Sequence, residues 1–343
     1  MTVDIRAAFA QQGDWNRRLG APFTARLCDR LGVVLDRTTA TGTAVLDWPG
    51  DAFADALMLR LTGGLNALVR ADVLPGLAAH YPPHAAGDDA ALDAALCAAL
   101  ADDRLLPWLD SAPQTNEVGR SGVLMPGLLT IAAATGLPLA LFELGASAGL
   151  NLRLDDYGYD LGGAVFGRAD APVRLAPDWQ GPPPPAAEVR IVSRRGVDLA
   201  PIDVRDCAAR DRLLAYVWPE QAARVVRLEA ALAAAAADPA PVDAGDAAGW
   251  VECHLAPVEG RCGVVLHSIA FQYFPVTTRA RIAAHMAAQG ALATAAAPLA
   301  WLRYELDDRT PGALPTLRLT LWPGGDDRLL AHAHPHGASV QWL

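Results

Sequence analysis

The sequence predicts an α/β protein in which an all-helical N-terminal domain, residues 1–112, precedes a doubly wound, mostly parallel α/β domain, residues 113–343. Three observations predict it. Apolar residues recur at helical spacing through much of the first 112 residues, and short β-type runs alternate with helical ones beyond Pro113. The apolar run Leu139–Leu144 then opens directly into the turn Gly145-Ala-Ser-Ala-Gly149, the pattern of a strand leading into a loop that carries chemistry.

Taken in order, residues 23–35, 53–68 and 90–100 have helical periodicity, and Asp51 is placed to cap the second of these. Trp48-Pro-Gly-Asp51, Tyr81-Pro-Pro-His84 and Leu106-Pro107 supply the breaks, and no internal repeat is visible. Beyond them the strand candidates are residues 139–144, 189–197, 263–270, 299–305, 317–322 and 338–343. Helices fit residues 219–237, where Pro219 suits a first turn and Asp238-Pro239 stops the run, and residues 278–288. The alanine run 231–237 is explained by helix propensity. Residues 157–187 read as an insertion: Tyr157-Gly-Tyr-Asp-Leu-Gly-Gly163 has the form of a β-hairpin, and prolines 182–185 that of an extended loop.

Composition narrows the function classes. With 343 residues, 52 % of them hydrophobic, the chain can bury a large core. No apolar run reaches the roughly 20 residues that span a bilayer, and Met1-Thr-Val-Asp-Ile-Arg6 lacks the basic lead of a signal peptide, so no membrane partner and a cytoplasmic location are expected. A net charge of −10 repels a phosphate backbone, which argues against nucleic acid as partner. The 28 basic residues are all arginine; without lysine there is no Schiff-base chemistry and no P-loop. Cysteines 28, 97, 207, 253 and 262 form no paired spacing and read as reduced, mostly buried thiols.

The chemistry-bearing residues cluster after strand candidates. Glu143 precedes Gly145, Ser147 and Gly149; Asp198 follows the next strand in Gly-Val-Asp-Leu-Ala-Pro; Asp246 and Ala247 follow a third in Asp-Ala-Gly-Asp-Ala; and a fourth delivers His267, Ser268, Gln272 and Tyr273. Carboxylates from three successive strand ends are thus expected at one crevice. Simpler roles stand beside these: a tight packing turn for the glycines, helix caps for Asp198 and Asp246, a core histidine for His267, and an ion pair three residues apart for Glu117 and Arg120. Histidines 332, 334 and 336 alternate like strand residues, but Pro335 interrupts them, so no metal site is expected and the segment reads as a strand and turn near the chain end. Gly145-Ala-Ser-Ala-Gly149 is also a literal nucleophile elbow, with Ser147 followed by Asp307 or Asp308 and His334 or His336 in hydrolase order. Against that rival, the N-terminal third supplies helices where an elbow needs preceding strands, and no His-Gly-Gly-Gly segment exists.

The series Glu-x-Gly-x-Ser-x-Gly, Gly-Val-Asp-Leu-Ala-Pro and Gly-Asp-Ala, over residues 138–343, resembles the class I S-adenosylmethionine-dependent methyltransferases, whose core is a Rossmann-like sheet. That resemblance implies S-adenosylmethionine as cofactor, held by Glu143, Gly145, Ser147, Gly149, Asp198, Asp246 and Ala247, with Arg120 pairing the donor carboxylate. It further implies methyl transfer to a small-molecule acceptor, with His267 and Tyr273 in acceptor contact or proton removal. The whole chain is similar to an uncharacterised bacterial family of unknown function that joins a helical part to such a core. Through that similarity, Asn116, Glu117, Tyr157, Tyr159 and Trp218-Pro-Glu220 border the site, and Gln272 joins Asn116, Glu117 and the two tyrosines in substrate contact. Three features depart from the methyltransferase pattern: Ser147 replaces the middle glycine, the following helix has room only to about Asp156, and 55 residues separate Glu143 from Asp198 where about 20 are usual. A nucleoside- or partner-binding module without catalysis is therefore a live alternative, and the oligomeric state is left open.

Overall fold

A computed structural model describes residues 4–84, 87–306 and 313–343. The chain divides into two compact units, one formed by residues 1–115 with 207–226 and the other by residues 116–206 with 227–343.

The first unit is helical: α1 (Ile5–Arg18), α2 (Pro22–Val34), α3 (Ala40–Leu46), α4 (Leu57–Arg70), α5 (Pro75–Ala78), α6 (Asp89–Leu100) and α7 (Leu106–Leu109). Their starts follow capping chemistry. Asp4, Thr39 and Asp88 accept amide hydrogen bonds at the heads of α1, α3 and α6, and Pro22 opens α2 where its missing N–H costs nothing. Phe9, Leu31, Leu61 and Leu96 meet in one buried cluster. The unit takes a second helix pass from later in the chain, where Asn66 Nδ2 donates to the carbonyls of Ala215 and Val217. Helices α1 and α3 are additions to the sequence reading.

The second unit opens with α8 (Ser121–Thr135), also unforeseen. Gly122, Pro126 and Gly127 read as breakers, yet Pro126 is accommodated inside the helix, and a Cβ on Gly127 would lie 2.6 Å from Leu302, so the glycine permits close packing on the sheet. Val118–Thr135 is long and apolar enough to cross a membrane, but 78 % of it is buried inside the protein, as in a core helix.

The sheet of this unit is mixed. Its strands are β1 (Leu139–Leu144), β5 (Asp178–Gln180), β6 (Ile191–Asp198), β7 (Val242–Ala244), β8 (Cys262–Ser268), β9 (Leu299–Glu305), β10 (Thr316–Trp322), β11 (Asp326–Ala333) and β12 (Ser339–Trp342), in the order β5-β12-β11-β10-β9-β8-β1-β6-β7. From β7 through β6, β1 and β8 to β9 every pairing is parallel. Beyond β9 the strands run antiparallel to β12, because only Pro323-Gly-Gly325 separates β10 from β11, far too few residues for a crossover helix. The sheet is thus mostly parallel, as expected, with β5 joining β12 in parallel as well, but it is mixed, since β9 to β12 form an antiparallel meander. A smaller sheet, β3-β2-β4, is built from β2 (Gly158–Leu161), β3 (Ala164–Gly167) and β4 (Arg174–Leu175). Its hairpin turns at Gly162-Gly163, both left-handed, at the expected insertion. The remaining helices are α9 (Cys207–Ala215), α10 (Ala222–Ala237), α11 (Ala247–His254) and α12 (Val276–Leu292). Val251, Val265, Ile282 and Met286 share one buried core beside β1 and β8. All five cysteines are free; only Cys28 and Cys262 are buried, which corrects the expectation of mostly buried thiols.

Candidate functional site

Strand β1 sits where the order of the parallel strands reverses, with β6 and β7 on one side and β8 and β9 on the other. Loops at the carboxyl ends of the two strands flanking such a reversal must diverge, which creates a crevice. The chain leaves β1 through a loop in which Gly145, Ser147 and Gly149 have φ of 73°, 52° and 70°. Left-handed residues alternating with right-handed ones turn backbone N–H groups inward, and glycine does this without Cβ strain. A Cβ on Gly145 would stand 2.7 Å from that of Ala270, so this glycine also lets the loops after β1 and β8 touch.

Hydrogen bonds fix the loop on the β6 side. The amides of Gly145 and Ala146 both donate to the Val197 carbonyl, at 2.9 and 3.1 Å. The Ser147 amide donates to Asp198 Oδ2 at 2.9 Å, while Asp198 Oδ1 accepts from Ala200 at 3.0 Å. The Ser147 carbonyl in turn accepts from Ile202 at 3.1 Å. Further along, Asn116 Oδ1 accepts from the Leu150 amide, and Ser121 Oγ donates to Asn151 Oδ1. Asp198 therefore ties β6 to the glycine loop, and Asn116 ties the loop to the segment preceding α8.

Glu143 lies beneath this loop. It is opposite Gly196 in the parallel register, so it shares a sheet face with Asp198 two residues on, and it is 1 % exposed. Oε2 is buried without a hydrogen-bond partner. Burial pushes its carboxyl up to about 8, the Asp198 carboxylate adds to the rise, and Arg120 and Asn151 oppose it. Arg120 spends Nη1 on the Ser268 carbonyl (2.8 Å) and Nε on that of Pro335 (3.1 Å), and burial holds its guanidinium below the usual range against the pull of Glu117 and Glu305. Glu117 Oε1 accepts from the Gly119 amide.

On the β8 side the sequence reading missed the central residue. Glu305, at the carboxyl end of β9, receives three donors on Oε1: His267 Nδ1 at 2.6 Å and the amides of Ala270 and Phe271 at 3.1 and 3.2 Å. Trp301 Nε1 can only donate, and it meets His267 Nε2 at 3.1 Å, so the network assigns the proton to Nδ1. His267 is fully buried, stacked on Phe271, and has both nitrogens engaged. The turn after β8 holds Ile269 at φ 48°, an unfavourable setting for a β-branched residue, and Glu305 is what captures the amides that follow. Glu305 closes the strand candidate 299–305, which follows the candidate 263–270 that contains His267; a carboxylate at a strand end was the signal available.

The remaining expected residues are distributed as follows. Asp246 caps α11 through the Gly249 amide, contacts Thr278 Oγ1 and lies 3.6 Å from Arg281, and Ala247 is the first residue of that helix. Tyr157 and Tyr159 are buried and donate their hydroxyls to the carbonyls of Leu150 and Leu154, which anchors the hairpin instead of presenting the phenols to a ligand. Gln272 is partly buried and Tyr273 is 74 % exposed on the turn after β8. Ser147 Oγ is buried and makes no hydrogen bond, so no described histidine serves it as base. Asp307 and Asp308 lie outside the described residues.

A family model described as "Uncharacterized protein conserved in bacteria (DUF2332)" matches residues 6–342. The chain belongs to this family. No curated protein and no solved structure matches it. The match runs almost the full length of this chain and so spans both of its units.

Proposed function

We propose that this protein is an S-adenosylmethionine-dependent methyltransferase acting on a small-molecule acceptor, with its donor site at the reversal point between β1 and β8 in a Rossmann-like half-sheet. The observation that carries the reading is the union of three strand-end features on one side of β1: the left-handed loop, the Asp198 carboxylate bonded to it, and the enclosed Glu143. The donor is a zwitterion bearing a sulfonium and no phosphate. It calls for a carboxylate toward the ribose hydroxyls, close backbone approach to the methionine part, and an apolar wall for adenine. Asp198 supplies the carboxylate for the first, Gly145 and Gly149 meet the second, and Ile269 with Phe271 meets the third. Arg120, whose Nη1 and Nε bond the Ser268 and Pro335 carbonyls, offers Nη2 to the donor carboxylate. The fit carries over less well to Asp246, which caps α11 and borders the crevice only from β7.

The donor, when bound, supplies an electrophilic methyl group. The chain has to align the acceptor behind it and exclude water, since in-line displacement needs a base only where the acceptor must lose a proton. His267 acts through Glu305 as a positioning residue, while Tyr273 and Gln272 on the exposed turn face the acceptor. The engagement of both His267 nitrogens favours a second reading, a nucleoside-binding module that transfers nothing.

Calorimetric titration with S-adenosylmethionine and S-adenosylhomocysteine tests the assignment. Saturable binding that is lost in Asp198→Ala is the expected result, and release of methyl from labelled donor onto an acceptor separates enzyme from module. Absence of binding by either nucleoside refutes both, and a fluorophosphonate adduct on Ser147 would move the assignment to a hydrolase.

A further inference from the structure

The glycine loop covers a carboxyl group that the donor site has no need of for hydrogen bonding. Glu143 is enclosed, and among the described residues Oε2 meets no donor and no cation is bonded to the carboxyl. Arg120, the nearest guanidinium, directs its hydrogen bonds to the Ser268 and Pro335 carbonyls, and Asp198, on the same sheet face, is held by the Ser147 and Ala200 amides. The other groups facing Glu143 are neutral: Asn151 from the turn after the loop, and Tyr157, whose hydroxyl is committed to the Leu150 carbonyl. A carboxyl so enclosed beside a second carboxylate keeps its proton unless positive charge arrives.

We propose that Glu143 is the charge-selecting residue of the crevice: ionised, it favours a cationic ligand over the neutral ligand of the same shape, and protonated, it does not. The inference rests on the donor-site reading, and it adds to that reading an expected preference for the cationic donor over the product that differs from it by one methyl and one charge. A fixed negative charge in a poorly solvated site acts on ligand charge at a range over which a hydrogen bond cannot. Burial, which raises the proton affinity of Glu143, sets the transition near neutral pH, where a cell can use it.

The test measures affinities of the full chain for S-adenosylmethionine and S-adenosylhomocysteine by calorimetry from pH 6 to pH 9. The ratio of the two is expected to rise with pH in favour of the sulfonium, by up to about tenfold per unit where Glu143 titrates, with coupled proton release on donor binding alone. In Glu143→Gln the ratio is expected to stay flat. A flat ratio in the wild type, or an equal rise in the glutamine variant, overturns the proposal while leaving the donor site intact. Failure of both ligands to bind the wild type refutes the donor-site reading itself, and this inference with it. Should Glu143→Gln fold poorly, the wild-type ratio and its proton release decide the matter alone.

Discussion

Replacing Glu143 by glutamine should change how stability depends on pH, whatever the crevice binds. In the folded chain the carboxyl titrates at about 8, against 4.5 for an unperturbed glutamic acid. Below pH 4.5 it is protonated folded or unfolded and gives no slope. Between the two values the folded state holds a proton that the unfolded state has lost, so stability falls as pH rises, by about 1.4 kcal/mol per unit, and levels off above the folded value. Across the whole window the loss is on the order of 5 kcal/mol, the size expected for burying a carboxylate beside another with no bonded cation. Glutamine has no proton to lose, so the difference between variant and wild type should climb steadily from pH 5 to pH 8 in favour of the variant. Urea unfolding at unit pH intervals, followed by far-ultraviolet circular dichroism, reads this directly, because other titrating groups are common to both proteins and cancel. Parallel stability curves would refute the reasoning and mean that Glu143 is ionised with a partner.

Gly145→Ala should destabilise by about 2–4 kcal/mol, since it adds left-handed strain and a collision with Ala270, whereas Gly136→Ala, with a similar φ of 65° but open space around it, should cost only about 1–2 kcal/mol. Equal thermal-melt losses would show that Gly145 does not hold two loops in contact. His267→Ala should cost about 3–5 kcal/mol and shift tryptophan emission to the red as Trp301 loses its acceptor and water enters. A loss under about 1 kcal/mol would mean the pair with Glu305 contributes little. Ser147→Gly relieves a left-handed serine but loosens the unfolded chain, two effects of about 1 kcal/mol that oppose each other. Melting temperature and nucleoside affinity should both stay close to wild type, and a collapse of activity in this variant would point to a nucleophilic serine.

Sequence periodicity found what local apolar patterning controls. Strands β1 and β9 begin and end where the apolar runs do, and the hairpin after Tyr157 follows from its paired glycines. It failed where tertiary packing decides. Gly122, Pro126 and Gly127 are poor helix formers and disguised α8, in which Gly127 allows close approach to Leu302. The polar opening of β11, Asp326-Asp-Arg328, concealed where the strand before His334 begins; Asp327 is held there by Arg318 on the adjacent β10 and Arg303 on β9. In the site, Asp198 was legible because a carboxylate after an apolar run stands out. Glu305 was not, because two of its three donors are backbone amides exposed by the unusual φ of Ile269, and the third is a histidine 38 positions earlier. His267 stood out by residue type alone, and that type could not disclose that Trp301 and Glu305 occupy both its nitrogens.

Carboxylates at three adjacent strand ends are chemically alike, and what separates them is how fully the fold already uses each one. Asp246 serves the start of its own helix, with Thr278 and Arg281 beside it, and it is nearly half exposed; a helix cap accounts for everything around it. Asp198 goes further, because its amide partners belong to two different loops, so that removing it would leave the glycine loop tied to β6 only through backbone bonds to the Val197 carbonyl. Glu143 is different again: among the described residues nothing donates to its Oε2, and the fold bears an enclosed acid that a leucine of similar size would have satisfied better. A native core keeps such a group at a cost in stability, and the cost falls at the reversal point of the sheet, directly beneath a left-handed loop. The pattern of satisfaction therefore ranks the three residues for function in the order Glu143, Asp198, Asp246, the reverse of their solvent exposure.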